Sequence, residues 1–123
     1  MCIICTNEYT VETTELYCCY YVTEIPDTLV NLTVLFCNDS KITVIPNILV
    51  NLTYLYCCYT EITVIPDTLV NLTILNCSDT NVTVIPDTFV NLTYLNCRST
   101  EISVIPDTLV NLTHLYCGNN GNS

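Results

Sequence analysis

Several residue types that build ordinary α-helices are rare or missing in this chain of 123 residues. It contains no alanine and no glutamine, and only one lysine, one arginine and one methionine. Because these residues have high helix propensities, their scarcity argues against a helical bundle. Both glycines, Gly118 and Gly121, lie in the last six residues. A glycine-rich phosphate-binding loop elsewhere in the chain is therefore excluded.

Positive charge is also scarce, since two basic residues stand against twelve acidic ones and the net charge is −10 at pH 7. Nucleic-acid grooves and proteins that bind anionic membranes both need clustered lysine and arginine. No stretch approaches the roughly 18 consecutive apolar residues of a membrane span. The sequence thus predicts no nucleic-acid partner and no membrane insertion.

The abundant residues favour extended chain. Valine, isoleucine and threonine make up 45 of the 123 residues, and β-branched side chains suit strands. From Thr23 to Cys117 the chain repeats every 20 residues without insertion. The recurring prolines are Pro26, Pro46, Pro66, Pro86 and Pro106, and the recurring cysteines are Cys37, Cys57, Cys77, Cys97 and Cys117. So constant a period is typical of a solenoid built from stacked coils.

One unit, residues 52–71, shows what the spacing implies. Leu52, Leu55 and Cys57 bracket a short strand, and because strand side chains alternate, the residues on either side of Leu55 point outward. Ile62 then points back toward the core. The proline that follows has no N–H for a sheet ladder, so it marks the side away from the strands.

The predicted fold is a repeat solenoid with a short-stranded parallel β-sheet on one face, extended or 3₁₀ segments on the other, and little or no α-helix. Coils stack in register about 4.8 Å apart, so that equivalent residues form ladders through a shared core. We expect residues 1–15 to form an N-terminal cap and residues 118–123 to form a polar tail. Between them, residues 16–117 form about five 20-residue coils plus a shortened first one.

The unit resembles a leucine-rich repeat, whose skeleton is L-x-x-L-x-L-x-x-N/C-x-L, with cysteine in the third apolar slot. The phrases Leu52–Cys57 and Ile62–Pro66 look like the short, cysteine-type repeats of amoeba-infecting giant viruses and some bacteria. This resemblance implies a non-catalytic solenoid that binds through its strand-bearing face. Thr60, Thr80 and Thr100 occupy the slot that such repeats usually give to asparagine. Their hydroxyls both donate and accept, so we expect them to replace part of the amide's hydrogen bonding.

The outward strand positions vary most between coils and are rich in aromatic residues. Exposed rings on a sheet are good anchors for a protein or glycan ligand. The alternative is cross-strand packing of rings that merely stabilises the sheet. The candidate contact residues are Tyr54, Tyr56, Tyr59, Tyr94, Arg98, His114 and Tyr116.

Five N-x-T sequons recur in register. They begin at Asn31, Asn51, Asn71, Asn91 and Asn111. On a secretory route these asparagines are candidate glycosylation sites. Alternatively, the asparagine and threonine side chains serve turn hydrogen bonds. A glycan about every 4.8 Å would be crowded, which favours the hydrogen-bonding role.

Ten cysteines suggest a disulfide framework, but their periodicity argues against one for most of them. The recurring cysteines replace a core leucine, and we expect a buried ladder of free thiols. Cys19 and Cys58 each follow a core cysteine and are expected to point outward, as candidate intermolecular thiols. Cys2-x-x-Cys5 resembles half of a zinc site or a redox pair. No second pair accompanies it, so cap packing or a local disulfide is favoured, and no metal or cofactor is predicted.

Catalysis has little support, because His114 is the only histidine and no nucleophile–base pair can be assembled around it. The sequence therefore predicts a non-catalytic module that binds a protein or a glycan. The alternative is a structural protein whose solenoids self-assemble into a homo-oligomer, fibre or shell. Its location stays open. A ladder of free thiols favours the cytoplasm, whereas repeated sequons favour an extracellular or virion surface.

Overall fold

The computed structural model describes residues 2–118 of the chain. One helical turn, α1 (Ile3–Thr6), precedes six strands of three residues each. The strands are β1 (Glu15–Tyr17), β2 (Val34–Phe36), β3 (Tyr54–Tyr56), β4 (Ile74–Asn76), β5 (Tyr94–Asn96) and β6 (His114–Tyr116). Residues 119–123 of the predicted tail lie outside the described range. Within that range, no helix is both long and apolar enough to cross a membrane.

The six strands form one parallel sheet in the order β1–β2–β3–β4–β5–β6. Equivalent residues pair directly, so that Leu55 lies opposite Leu35 on one neighbouring strand and opposite Leu75 on the other. The rest of each coil is extended chain and turns. The predicted parallel β-solenoid of about five turns, with in-register ladders and almost no helix, is confirmed.

The core consists of ladders, one for each inward position of the unit. Completely buried residues of one unit are Leu52, Leu55, Cys57, Ile62 and Leu69. Burial of a leucine or isoleucine side chain contributes about 1.5–3 kcal/mol relative to exposure. Neighbouring coils supply the covering atoms, so a single coil could not bury these side chains alone.

A buried hydroxyl closes the turn after each interior strand. The Thr80 hydroxyl donates to the Cys77 carbonyl at 2.7 Å and accepts from the Val82 N–H at 3.4 Å. Thr60 and Thr100 donate in the same way to the carbonyl three residues earlier, at 2.8 and 2.7 Å. A buried carbonyl without a partner is costly, so a small hydroxyl residue suits this position. The threonines thus do hydrogen-bond in the slot where asparagine is usual.

The residue before this hydroxyl has a left-handed backbone. Its φ is 61° at Asp39, 55° at Tyr59, 56° at Asp79 and 55° at Ser99. Aspartate tolerates this conformation better than a bulky side chain does. Tyr59 is therefore held in a strained conformation that two neighbouring coils give to aspartate.

Two polar ladders join neighbouring coils just before each strand. The Asn71 amide donates to the Val50 carbonyl at 2.9 Å, and the Thr73 hydroxyl donates to the Thr53 carbonyl at 3.2 Å. Equivalent amide bonds of 2.7–3.1 Å are made by Asn31, Asn51, Asn91 and Asn111. The asparagine of every in-register sequon therefore ties its own coil to the chain before it.

The two ends of the solenoid differ. Before β1, Ile3 and Tyr9 pack against the core, and Leu16 on β1 is fully buried. On β6, by contrast, Leu115 is 42% exposed, and Cys117 just after it is exposed as well. The burial expected for Cys117 was wrong, because no coil among residues 2–118 packs on that side of β6.

Candidate binding surface on the strands

The side chains on the opposite side of the strands from the core leucines form two rows, which together we call the strand face. The row of first strand residues is Glu15, Val34, Tyr54, Ile74, Tyr94 and His114. The row of third strand residues is Tyr17, Phe36, Tyr56, Asn76, Asn96 and Tyr116. Because the strands pair in register, each residue lies beside its equivalent on the next strand. Both rows therefore run across all six strands.

Three rings stack over β1, β2 and β3. The ring centroids of Tyr17 and Phe36 are 4.9 Å apart and those of Phe36 and Tyr56 are 4.5 Å apart, with interplanar angles of 7° and 10°. Burial raises the pKa of Tyr56. Tyr17 and Phe36 were not among the predicted contact residues. The match of Leu16-Tyr17-Cys18 to Leu55-Tyr56-Cys57 was the signal that could have found Tyr17.

A second aromatic cluster lies over β5 and β6. The Tyr94 ring centroid is 6.0 Å from that of His114 and 5.6 Å from that of Tyr116. The Arg98 guanidinium carbon lies 5.3 Å from the Tyr116 centroid, within cation–π reach. The His114 Nδ1 is 3.0 Å from the Thr113 hydroxyl. Four of the seven predicted residues thus form one mixed aromatic and cationic cluster.

The other predicted residues lie on or just beyond β3. Tyr54 pairs between Val34 and Ile74 in the first row and is 40% exposed. Tyr59, in the turn after β3, is 62% exposed. The nearby charge of Asp79 raises the pKa of Tyr59, assisted by burial and by the hydrogen bond between the two side chains. The seven residues therefore divide into a group around β3 and a group over β5 and β6.

Two grooves run along the solenoid outside the strand face. One, of about 760 Å³, follows the asparagine and threonine ladders from Glu12 to Asn91. The other, of about 1460 Å³, lies on the side away from the strands. That side carries an exposed valine in four successive coils, which was not singled out from the sequence. The exposed fractions of Val44, Val64, Val84 and Val104 are 67%, 64%, 65% and 71%.

The interior cysteines form the predicted thiol ladder. Cys37, Cys57, Cys77 and Cys97 are fully buried, one in each of four coils. Burial raises the pKa of Cys37 and Cys57 well above the ordinary value and raises that of Cys97 to about 11. Because the thiolate is the reactive form, these side chains are inert at neutral pH.

Cys58 differs from the exposed thiol that its position predicted. It is only 6% exposed, and burial raises its pKa. Its backbone N–H donates to Asn38 Oδ1 at 2.7 Å, and its thiol lies 3.7 Å from the Asn76 carbonyl. Cys58 is therefore covered from both neighbouring coils, by Asn38 on one side and by Ser78, which hydrogen-bonds to it, on the other.

Cys19, at the equivalent position of the first coil, has a different environment. Its Sγ lies 3.5 Å from the Sγ of Cys2 and 3.3 Å from the Sγ of Cys5. The Cys2 N–H, the Cys5 thiol and the Tyr21 N–H donate to the Cys19 sulfur and lower its pKa to about 6. The hydrogen bond to Cys19 raises the pKa of Cys5 to about 11. This convergence was missed, because spacing alone does not place Cys19 beside α1.

Comparison with known proteins supports the fold. A family model described as Leucine Rich Repeat matches residues 71–92. The functional domain of InlJ from Listeria monocytogenes, described as including a cysteine ladder, is similar to this chain with a TM-score of 0.80 and 30% identity. That match covers 87% of this chain and 25% of that one. No curated protein matches the chain.

Two further solved structures are similar. The internalin InlF from Listeria monocytogenes has a TM-score of 0.76 and 29% identity, over 89% of this chain and 36% of that one. A leucine-rich-repeat protein of Leptospira interrogans has a TM-score of 0.74 and 22% identity, over 87% and 31%. The chain thus spans between about a quarter and just over a third of the length of these structures. Together with the leucine ladders and the in-register strands, these matches support the assignment of this chain as a leucine-rich-repeat protein. Its fold is the parallel solenoid of that class.

Proposed function

We propose that the chain is a non-catalytic binding module that holds a protein partner against its strand face. The observation that carries this proposal is the pair of aromatic clusters on that face. In these clusters Tyr17 and Tyr116 remain 57% and 37% exposed, whereas the leucines on the other side of the interior strands are fully buried. Exposed rings with a nearby cation are the composition of a binding hot spot.

The scaffold favours binding because it is rigid where the rings are attached. Each strand is hydrogen-bonded to its neighbours. The polar ladders hold the residues just before it, as the bond from the Thr73 hydroxyl to the Thr53 carbonyl at 3.2 Å illustrates. Tyrosine adds contact area at low conformational-entropy cost. Binding through a preorganised surface therefore loses little freedom.

The fold comparison supports the same role. Leucine-rich-repeat folds commonly mediate protein interactions, and internalin-like structures are among the similar ones. The cysteine ladder described for InlJ supports the narrower assignment to short, cysteine-type repeats. The resemblance to the repeats of giant viruses and some bacteria is carried by the sequence phrases alone. We take that assignment, together with the seven predicted contact residues, as part of this proposal.

The test is site-specific photocrosslinking followed by affinity measurement. A photoreactive amino acid replaces Tyr54 on the strand face or, as the matched control, exposed Val64 on the side away from the strands. We expect a partner to crosslink to position 54 and not to position 64. The partner so identified is then titrated with the Tyr94→Ala/His114→Ala variant, and affinity should fall about 30-fold, the effect of losing one hot spot.

The control pair is Val64→Ala/Val84→Ala, which removes exposed apolar side chains outside the strand face. This variant should bind like the unmodified chain. Crosslinking chiefly from position 64, or a Tyr94→Ala/His114→Ala variant that binds within twofold of normal while keeping its thermal midpoint, would show that the strand face is not the contact surface.

Self-assembly is the second candidate function, and the exposed edge at β6 favours it. Among residues 2–118, β6 pairs only with β5, and Leu115 behind it is 42% exposed. A second copy adding a strand there would extend the sheet and form a head-to-tail contact that does not close, which gives a fibre. Light scattering of the purified chain separates the two functions, since a monomer at high concentration excludes assembly.

Glycosylation of the register sequons is the remaining part of the proposal. The Nδ2 atom that would carry a glycan donates to the preceding coil at Asn31, Asn51, Asn71, Asn91 and Asn111. The hydrogen-bonding role accounts for these asparagines without a glycan. Intact mass of protein from its native source distinguishes the two roles directly.

A further inference from the structure

Three thiols converge where the N-terminal cap meets the first coil. The Sγ atoms of Cys2, Cys5 and Cys19 are 3.3–4.0 Å apart. All three ligand atoms lie within 4.8 Å of one another, the only such group of potential metal ligands among the described residues. Cys5 is exposed, whereas Cys2 and Cys19 are half-buried. The cluster is thus anchored on one side and open to solvent on the other.

The local structure explains why these three side chains meet. Cys2 precedes α1 and Cys5 lies within it, and two residues three apart project from the same side of a helical turn. Cys19 begins a tight turn in which the Val22 N–H donates to the Cys19 carbonyl at 3.1 Å. The segment from the ladder cysteine to the proline is one residue shorter here than in the regular coils. At the position of Cys19, those coils carry Asn38, Cys58, Ser78 and Arg98.

We propose that Cys2, Cys5 and Cys19 form a binding site for a zinc ion, with three thiolate ligands and a fourth position open to solvent. Zn–S bonds of about 2.3 Å in a tetrahedral site place the sulfur atoms about 3.8 Å apart, within the span observed here. A disulfide instead requires an S–S distance of about 2.0 Å and would leave the third thiol without a role. Thiolate ligands select zinc over harder cations such as Mg²⁺ or Ca²⁺.

The binding step is an exchange of protons for a metal ion. Three Zn–S bonds form as the hydrated ion loses water ligands to solvent, and each S–H bond still present breaks, with its proton also going to solvent. No electrons are transferred and no oxidant is needed. Bound zinc would join α1 to the first coil, and so would fasten the cap to the solenoid.

Cobalt and zinc titrations test the site. The chain is reduced, freed of metal under anaerobic conditions and titrated with Co²⁺ as a spectroscopic probe. We expect one Co²⁺ per chain, with sulfur-to-cobalt charge-transfer bands and the visible bands of tetrahedral cobalt. One equivalent of Zn²⁺ should bleach both and raise the thermal midpoint.

Cys5→Ser is the diagnostic variant, because Cys5 is exposed and its replacement leaves the core untouched. Its zinc affinity should fall at least about 100-fold, the upper end of what loss of a supporting residue alone causes. Cys117→Ser is the matched control, since it removes an exposed thiol at the far end of the solenoid. It should bind zinc like the unmodified chain, and both variants should keep the parent circular dichroism spectrum.

Three results would overturn the site. The first is the absence of a charge-transfer band in the reduced parent chain. The second is equal zinc affinity in the parent and in Cys5→Ser. The third is an equal loss of zinc affinity in Cys5→Ser and Cys117→Ser, which would mean that zinc binds to separate thiols along the chain and not to this cluster. If the cluster instead serves to form a disulfide, the reduced chain should bind no zinc and show no charge-transfer band.

Discussion

The interior coils and the N-terminal cap use cysteine in opposite ways. In the coils, Cys57 and Cys77 replace a core leucine and are completely buried, each beside its equivalent on the next coil. In the cap, Cys5 is exposed and its sulfur lies 3.3 Å from that of Cys19. Burial raises the pKa of Cys57, whereas hydrogen bonds lower the pKa of Cys19 to about 6.

This difference arises from how each region satisfies the sulfur atom. In a regular coil the ladder thiol belongs to the buried apolar core. At most it donates weakly to the next strand, as Cys37 does to the Tyr56 carbonyl at 3.3 Å. In the first coil, beside the cap, the shortened turn leaves Cys19 facing backbone N–H groups and two further thiols. The cysteines of the regular repeats are therefore buried and unreactive. Where the repeat is interrupted, the cysteines can serve as the ligands of the proposed zinc site.

Alkylation kinetics should show the largest contrast between the two regions. With metal removed, we expect Cys19, whose pKa is lowered to about 6, and the exposed Cys117 to react with iodoacetamide about 1000-fold faster than Cys57 or Cys77. A buried thiol reacts only after local opening, and about 4 kcal/mol of opening free energy corresponds to that factor. Time-resolved peptide mapping by mass spectrometry measures each rate.

Cys97 serves as the internal control for this measurement. Only the last coil covers it on one side, so it should react faster than Cys57 and more slowly than Cys117. Equal rates at Cys57 and Cys117 in a folded sample would contradict the buried ladder.

Replacement of a ladder cysteine by serine should give the next largest contrast, in the free energy of unfolding. Cys77→Ser places a hydroxyl in a fully buried apolar position and should lower the free energy of unfolding by about 1–3 kcal/mol. Cys117→Ser makes the same change at an exposed rung and should stay within about 0.5 kcal/mol. Urea unfolding under reducing conditions compares them. Equal destabilisation would mean that the ladder position matters even without burial.

Sequence alone predicted the regular part of the molecule because one period fixes every inward position at once. Leu55, Cys57 and Ile62 could be assigned to the core from a single unit, and the same assignment holds on neighbouring coils. The position of Tyr54 on the strand face followed from alternation. Whether Tyr54 contacts a partner remains a prediction.

The sequence was less informative where neighbours differ or the period fails. Cys58 was expected to be exposed because it follows a core cysteine. The residues that bury it belong to adjacent coils and differ from coil to coil, so the repeat pattern does not reveal them. Cys117 was expected to be buried because the period continues through it, but no coil among residues 2–118 covers its outer side. The meeting of Cys19 with Cys2 and Cys5 depends on the path of a non-repeating segment, which no repeat pattern describes.

The smallest expected change in the free energy of unfolding is that from loss of an asparagine of the polar ladder. This ladder lies at the surface, whereas the thiol ladder is buried. Asn71→Ala removes an amide that donates to the Val50 carbonyl at 2.9 Å. Because water can replace the lost donor at this exposed edge, we expect a loss of about 0.5–1 kcal/mol in the free energy of unfolding. The matched control is Asn81→Ala, since Asn81 is exposed and begins a sequon outside the ladder. It should change stability by less than about 0.5 kcal/mol. Urea unfolding of unglycosylated protein measures both, and equal effects would mean that these asparagines are kept for something other than joining coils.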